Sequence, residues 1–222
     1  MDGSATASGP FASGRDADVY ALDDRRVLRR YRRGGDVSAE AALMRHLGAA
    51  RFPVPEVYEA EGPDLVLERI DGPTMLRAVA EGTIAPGEAA QILADLHARL
   101  HAVPPLPGTS PGEWILHLDL HPENVLLGPD GPVLIDWRNA RSGPPDLDTA
   151  LSAVILAQAA IDPGRALAEP AAALLAAFLR RAPGTPLSRL DEALSRRRDD
   201  RGTTAVEKAR LPRAEALIRG HA

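Results

Sequence analysis

Cysteine is absent from these 222 residues and lysine nearly so: Lys208 stands alone among 26 basic residues. Without cysteine there is no disulfide framework and no thiolate chemistry. Aromatic residues are scarce, at 4%. No apolar run approaches the length of a membrane span, and the opening Met-Asp-Gly-Ser-Ala-Thr has neither the basic nor the apolar region of a signal peptide. A soluble, cytoplasmic protein with no membrane partner is expected. The formal net charge of −5 gives no reason to expect nucleic acid as a partner. Hydrophobic content of 45% suits a globular chain, long enough for one large domain or two lobes sharing a cleft.

What is present falls into two regions. Residues 1–10 are small and polar. From Phe11 to Tyr31 the chain reads as short strands, turning at Ser13–Ala17 and at Asp23-Asp24. Gly34-Gly35-Asp36 is a break. Ala41, Ala42, Met44 and Leu47 then recur at helical spacing over Ser38–Leu47, with Gly48 as the expected C-cap. Val57–Ala60 and Leu65–Ile70 flank the turn Glu61–Asp64 and complete a sheet of about five strands.

Beyond Asp71-Gly72-Pro73 the pattern is mostly helical. Pro86 opens a helix to about His101, with Ile92, Leu93, Leu96 and Leu100 on one stripe. Further helices are expected over Asp146–Gln158, Arg165–Arg181, Leu187–Arg198 and Thr203–Arg219, with breaks at Pro163-Gly164 and Pro183-Gly184. The expectation is an α+β chain: a β-rich unit over 1–70 and a helical unit over 71–222.

The run His117-Leu-Asp119-Leu-His121-Pro-Glu-Asn124 carries the most chemistry. An Asp is followed five residues later by an Asn, and twelve residues after that by Asp136. Val125-Leu126-Leu127 and Val133-Leu134-Ile135 are short apolar runs around the turn-rich Gly128–Pro132, so they read as a hairpin. That hairpin would deliver Asn124 and Asp136 to its same end. Phosphoryl transfer from ATP needs such a set. Asp119 would orient the attacking hydroxyl, while Asn124 and Asp136 would offer hard oxygen ligands to Mg²⁺.

The run fits the kinase catalytic-loop pattern H-R-D-L-x-x-x-N, except that Leu118 replaces the Arg. Together with Leu134-Ile-Asp-Trp137, Leu96-His97-Ala-Arg-Leu-His101, Leu65–Gly72 and Pro53-Val-Pro55, it resembles the aminoglycoside phosphotransferase family, which includes choline kinase-like small-molecule kinases, within the protein-kinase-like superfamily. The resemblance runs from about Ser13 to about Ile155. It implies a bilobal fold with a small β-rich N-lobe that binds ATP and a larger helical C-lobe that holds the catalytic loop and the acceptor.

The resemblance implies further roles. Ser13 and Gly14 lie in the turn that matches the phosphate-covering loop. Val27 and Arg29 share a strand face, Val27 against adenine and Arg29 on the phosphates, in place of the usual lysine. Glu40 is the ion-pair partner of Arg29. Glu68 and Ile70 lie in the hinge that binds adenine through its main chain. His117 braces the catalytic loop, and His121 lies closer to the phosphate site. Asp148 anchors the loop, and Asp146 is a candidate helix N-cap. His97 and His101 have a spacing that can bind metal, but no third ligand is apparent, so they are read as bracing the lobe interface.

The acceptor is expected to be a small hydroxylated molecule: an aminoglycoside, a sugar or another metabolite. A polycationic acceptor would need an acidic wall, for which Asp191, Glu192, Asp199 and Asp200 are candidates among many arginines. A choline-like acceptor would need an aromatic cage, for which Trp114, Trp137 and Phe178 are the candidates. Two other readings are a protein kinase and a non-catalytic nucleotide-binding module. His121-Pro122, Asp136-Trp137 and the short chain between Asp136 and Asp148 weigh against the former. The intact Asp119, Asn124 and Asp136 weigh against the latter.

Overall fold

The computed structural model describes residues 9–10, 12–14, 16–162, 167–200 and 202–221. The expected strand start at Phe11, the break at Pro163-Gly164 and the helix start at Arg165 fall outside them.

The N-terminal part is a five-stranded antiparallel sheet with one helix. Strands β1 (Ala12–Ser13), β2 (Ala17–Ala21) and β3 (Arg26–Tyr31) precede helix α1 (Ser38–Ala49), and β4 (Val57–Glu61) and β5 (Asp64–Glu68) follow it. Their order in the sheet is β1-β2-β3-β5-β4. Local chemistry sets the turns and the register. The Asp23 carboxylate accepts from the Arg25 amide and the Arg26 side chain, each at 2.8 Å, and closes the β2–β3 turn. Arg30 forks onto Asp64 of β5 at 2.8 and 2.6 Å, pinning the two strands where they pair.

Helix α1 buries Ala41, Leu43, Met44 and Leu47. It does not stop at Gly48. The reversal falls at Arg51, in the left-handed region at φ 60°. The Arg51 amide bonds the Gly48 carbonyl (2.9 Å) and the Phe52 amide bonds the Leu47 carbonyl (3.0 Å). This is a Schellman closure with arginine where glycine is usual. Burial of Phe52 outweighs the local preference for glycine.

The rest is helical around a small β-hairpin. Helix α2 (Met75–Ala80), unforeseen from the sequence, is capped by Thr74, whose hydroxyl accepts from the Arg77 amide. It precedes α3 (Pro86–Leu100) and β6 (Trp114–Leu116). The hairpin β7 (Val125–Gly128) and β8 (Gly131–Leu134) is the expected one. A short strand β9 (Arg141–Gly143) pairs with β6, a long-range pairing that no local pattern announces. Then come α4 (Pro145–Ala160), α5 (Ala168–Leu179), α6 (Leu190–Asp199) and α7 (Ala205–Arg219). The expected helix over Leu187–Arg198 is split, a 3₁₀ turn at Pro186–Arg189 leading into α6.

Helix α4 is buried on nearly every side because α5, α6 and α7 pack around it. Asp146 is not its cap. Pro144 holds that position, and the Asp146 carboxylate instead accepts from the Thr185 amide and the Ser188 hydroxyl, both at 2.9 Å.

Hydrogen bonds join the hairpin to the N-terminal part and to the link that follows it. The Leu134 amide donates to the Pro53 carbonyl and the Leu127 amide to the Pro73 carbonyl, both at 2.9 Å. Gly72 crosses so close that a Cβ there would stand 2.0 Å from the Leu127 oxygen. One apolar core runs from Leu65 and Met44 through Leu93 and Trp137 to Phe178. No helix among the described residues is long and apolar enough to cross a membrane.

Candidate active site

Two clusters of polar side chains meet at the base of the hairpin. The first starts on β3. Alternation turns Arg29 and Tyr31 to one face, toward α1. The Arg29 guanidinium reaches Glu40 Oε1 at 3.1 Å and Asp136 Oδ1 at 2.5 Å. The Tyr31 hydroxyl donates to Glu40 Oε2 at 2.7 Å. The Tyr31 ring also carries two guanidiniums, Arg29 at 4.8 Å and Arg138 at 4.3 Å from its centroid.

Arg138 continues to Asp16 at 4.0 Å, so the segment after Asp136 touches the turn between β1 and β2. In that turn, Ser13 donates to Asp18 (2.7 Å), Arg32 grips the same carboxylate, and the Gly14 amide bonds the Ala17 carbonyl.

These contacts decide the ionisation. Burial opposes the Asp136 anion, but the Arg29 charge and hydrogen bond outweigh it and hold the carboxyl below its ordinary range. Burial dominates at Glu40 and pushes its carboxyl up, against the pull of Arg29 and Tyr31. Burial also opposes the Arg29 charge, but the facing acids, Asp136 foremost, raise its pKa further.

The second cluster is the loop before the hairpin. His117 is fully buried. Its Nδ1 accepts from the Asp119 amide (3.2 Å) and its Nε2 lies 3.0 Å from the Ile135 carbonyl. An amide only donates and a carbonyl only accepts, so His117 is the neutral Nε2–H tautomer. Burial, which lowers its pKa, agrees. One ring thus spaces Asp119 from the residue before Asp136, and Trp137 packs on it edge-on at 4.7 Å. The Asn124 carbonyl also accepts from the Ile135 amide (2.9 Å), locking Asn124 beside the strand end that bears Asp136.

Asn124 Nδ2 donates to the Asp119 carbonyl at 2.9 Å. That bond requires nitrogen on that side, so the amide oxygen is the end left to face a ligand. The Asn124 oxygen and the Asp136 anion are hard donors and could hold a Mg²⁺ ion. His121 caps the 3₁₀ turn Pro122–Asn124, and its Nε2 lies 3.6 Å from Asp119 Oδ1. Leu118 (φ 63°) and Asp136 (φ 68°) both occupy the left-handed region, strain held by surrounding bonds. For Leu118 the restraint is Asp148, whose carboxylate accepts from the His117 and Leu118 amides at 3.0 and 2.7 Å.

The other expected positions lie around the sheet. Val27 packs on the core and pairs with Leu67 of β5. Glu68 ends β5, with its amide on the Glu56 carbonyl and its carboxylate accepting from the Glu56 amide. Ile70 lies against Gly128 of the hairpin. Tyr31 and Arg138 were not foreseen. The alternation that selected Arg29 also selects Tyr31, whereas nothing local marks Arg138.

The candidate acceptor residues are not assembled. Asp191 pairs with Arg219, Glu192 with Arg189 and Arg196, and Asp200 with Arg197, while Asp199 accepts from Ser195. Trp137 and Phe178 are buried and Trp114 is exposed, so these three form no cage.

Comparison with known proteins agrees with this geometry. No curated protein matches the sequence. Among solved structures, a thermostable mutant of aminoglycoside phosphotransferase APH(4)-Ia, in a ternary complex with AMP-PNP and hygromycin B, superposes with a TM-score of 0.65 at 17% identity, covering 98% of this chain and 94% of that one. A choline/ethanolamine kinase family protein from Mesorhizobium loti gives 0.62 at 17% identity, over 98% and 92%. Amicoumacin kinase hAmiN, in complex with AMP-PNP, Ca²⁺ and Ami, gives 0.59 at 15%, over 95% and 87%. These likenesses show an α+β, protein-kinase-like fold. The family model described as "Phosphotransferase enzyme family" matches residues 9–116 and 106–190. With most of its length matched, the chain belongs to the phosphotransferase enzyme family.

Proposed function

We propose that the protein transfers the γ-phosphoryl group of ATP to a hydroxyl of a small molecule in a Mg²⁺-dependent reaction. The carrying observation is the junction itself: Arg29, held by Glu40 on the sheet side, meets Asp136, while His117 and the hairpin hold Asp119 and Asn124 beside it. Residues 1–70 act as the nucleotide lobe and residues 71–222 as the lobe of the catalytic loop and acceptor. The sheet face around Val27, the hinge from Glu68 to Ile70 and the turn at Ser13-Gly14 receive the nucleotide.

Asp119 accepts a hydrogen bond from the acceptor hydroxyl, aims its oxygen and takes its proton as the new P–O bond forms and the bond from the γ-phosphorus to the bridging oxygen breaks, releasing ADP. Asn124 and Asp136 hold the metal. Bound there, Mg²⁺ supplies positive charge to the phosphate oxygens. Arg29 adds a fixed cation on the nucleotide side, kept in place by Glu40 and Tyr31. ATP supply favours a cytoplasmic setting.

The acidic residues of α6 and its C-terminal end are engaged by arginines or by Ser195, which favours a neutral or weakly charged hydroxylated acceptor, such as a sugar or other metabolite, over a polycation. A protein acceptor is disfavoured because only a 3₁₀ turn and β9 lie between Asp136 and α4, leaving no extended activation segment.

The test is ATP consumption over a panel of sugars, hydroxylated metabolites and aminoglycosides. A productive acceptor should appear, and Asp119→Asn should lose about 10²–10⁴-fold in turnover with nucleotide affinity unchanged. Full turnover in that variant would overturn the reading.

A further inference from the structure

Behind the catalytic loop, α3 and α4 bring together His97, His101 and Asp148. His97 is 0% exposed and Asp148 is 1% exposed. One ligand atom from each lies within 4.8 Å of the other two. Asp148 adds a third candidate donor that spacing along α3 could not supply.

The hydrogen bonds around His97 leave a deficit of positive charge. The Ser152 hydroxyl lies 2.6 Å from the Leu120 carbonyl, which can only accept, so Ser152 donates its proton there. Ser152 Oγ therefore accepts from His97 Nε2–H, at 2.9 Å. In a neutral ring, Nδ1 then carries a lone pair. It has no hydrogen-bond partner and faces Asp148 Oδ2 at 3.6 Å, longer than a hydrogen bond. His101 Nε2 lies within hydrogen-bond distance of the same oxygen, at 3.2 Å, and would give up the proton it donates there on binding a metal. A lone pair aimed at a buried carboxylate is repulsive unless a cation lies between them.

We propose that His97 Nδ1, His101 Nε2 and Asp148 Oδ2 bind a divalent transition metal of the zinc class, distinct from the Mg²⁺ site. Zinc–nitrogen and zinc–oxygen bonds of about 2.0–2.2 Å separate tetrahedral ligands by about 3.3 Å, near the 3.6 and 3.2 Å that part Asp148 Oδ2 from the two histidine nitrogens. The ion would be structural. Asp148 also holds the His117 and Leu118 amides, so metal would tie α3 and α4 to the strained start of the catalytic loop.

Co²⁺ is the probe, because tetrahedral Co²⁺ absorbs visible light. The full chain should take up one equivalent with an intense visible band that Zn²⁺ abolishes. His97→Gln and His101→Gln should lose the band, and Asp136→Asn should keep it. Should the histidine variants misfold, ¹⁵N NMR of the unaltered protein decides: added Zn²⁺ should move the His97 Nδ1 resonance and leave its Nε2–H in place. No Co²⁺ band, a band persisting in folded His97→Gln, or an Nδ1 that is protonated and unmoved by excess Zn²⁺ would each overturn the site and make the missing cation a proton.

Discussion

Arg29 and Asp136 lie 107 positions apart, and their side chains meet at 2.5 Å. A fixed cation therefore occupies an oxygen of the carboxylate we propose as a metal ligand, while its other arm holds Glu40. Arg29→Ala should release Asp136. Mg²⁺ should then bind the nucleotide-free protein more tightly, while kcat/KM for ATP falls about 10²–10³-fold for want of the fixed donor. Arg29→Lys should fall in between, since one ammonium cannot fork to two carboxylates. Metal titration beside steady-state kinetics reads both, and weaker Mg²⁺ binding in Arg29→Ala would contradict the argument.

Tyr31 is a positioning residue. Its 2.7 Å bond is one of two that orient Glu40. Tyr31→Phe keeps the ring under both guanidiniums and removes only the hydroxyl. Losing a bond to a buried charged acceptor should lower stability by about 1.5–3 kcal/mol in urea unfolding. KM for ATP should rise more than kcat falls, because Arg29 loses its brace. An unchanged unfolding midpoint would remove Tyr31 from the network.

The turn over β1 and β2 should respond to acid. Hydrogen bonds from Arg32 and then Ser13 lower the Asp18 pKa to about 2. A depressed folded-state value means the Asp18 contribution is complete above the unfolded value of 3.8 and is lost as pH falls through about 2. NMR of the Asp18 carboxyl carbon should titrate near 2 and shift toward the unfolded value in Arg32→Gln. A midpoint near 4 in the unaltered protein would show that the clamp does not persist in solution.

Two glycines should respond in opposite senses. Gly72→Ala puts a methyl against the Leu127 backbone and should cost about 2–3 kcal/mol, because backbone cannot step aside as a side chain can. Gly87→Ala, in the first turn of α3 with open space around it, should stabilise by about 0.4–1 kcal/mol. Chemical unfolding of both variants gives the comparison.

The cap of α1 yields a further test. Arg51 holds a left-handed conformation that glycine adopts freely. Arg51→Gly should raise stability by about 1 kcal/mol, and a loss would mean that the arginine side chain contributes more than its backbone strain removes.

Much of the architecture was legible because its causes are local. Alternation in β3, the apolar stripe of α3 and the turn chemistry between β7 and β8 each declare an element from a few adjacent residues. The misreadings share a cause too. Gly48 looked like a cap, but Phe52 had to reach the core, so the helix ran on to a reversal at Arg51. Asp146 looked like a cap, but a turn some 40 residues later needed its carboxylate. Helix α2 is too short to show a period, and β6 finds its partner in β9 across the whole hairpin.

By itself the sequence determined the order of the longer elements, the catalytic-loop run and the family, since spacing along a chain is enough to specify a hairpin with an Asn before it and an Asp after it. Only the tertiary structure decided which charges meet. It placed Arg29 on Asp136, brought Arg29 and Arg138 to the one ring of Tyr31, paired the α6 acids with arginines and set Asp148 against two histidines. Such contacts depend on burial and on distances through space, and a local pattern carries no information about either.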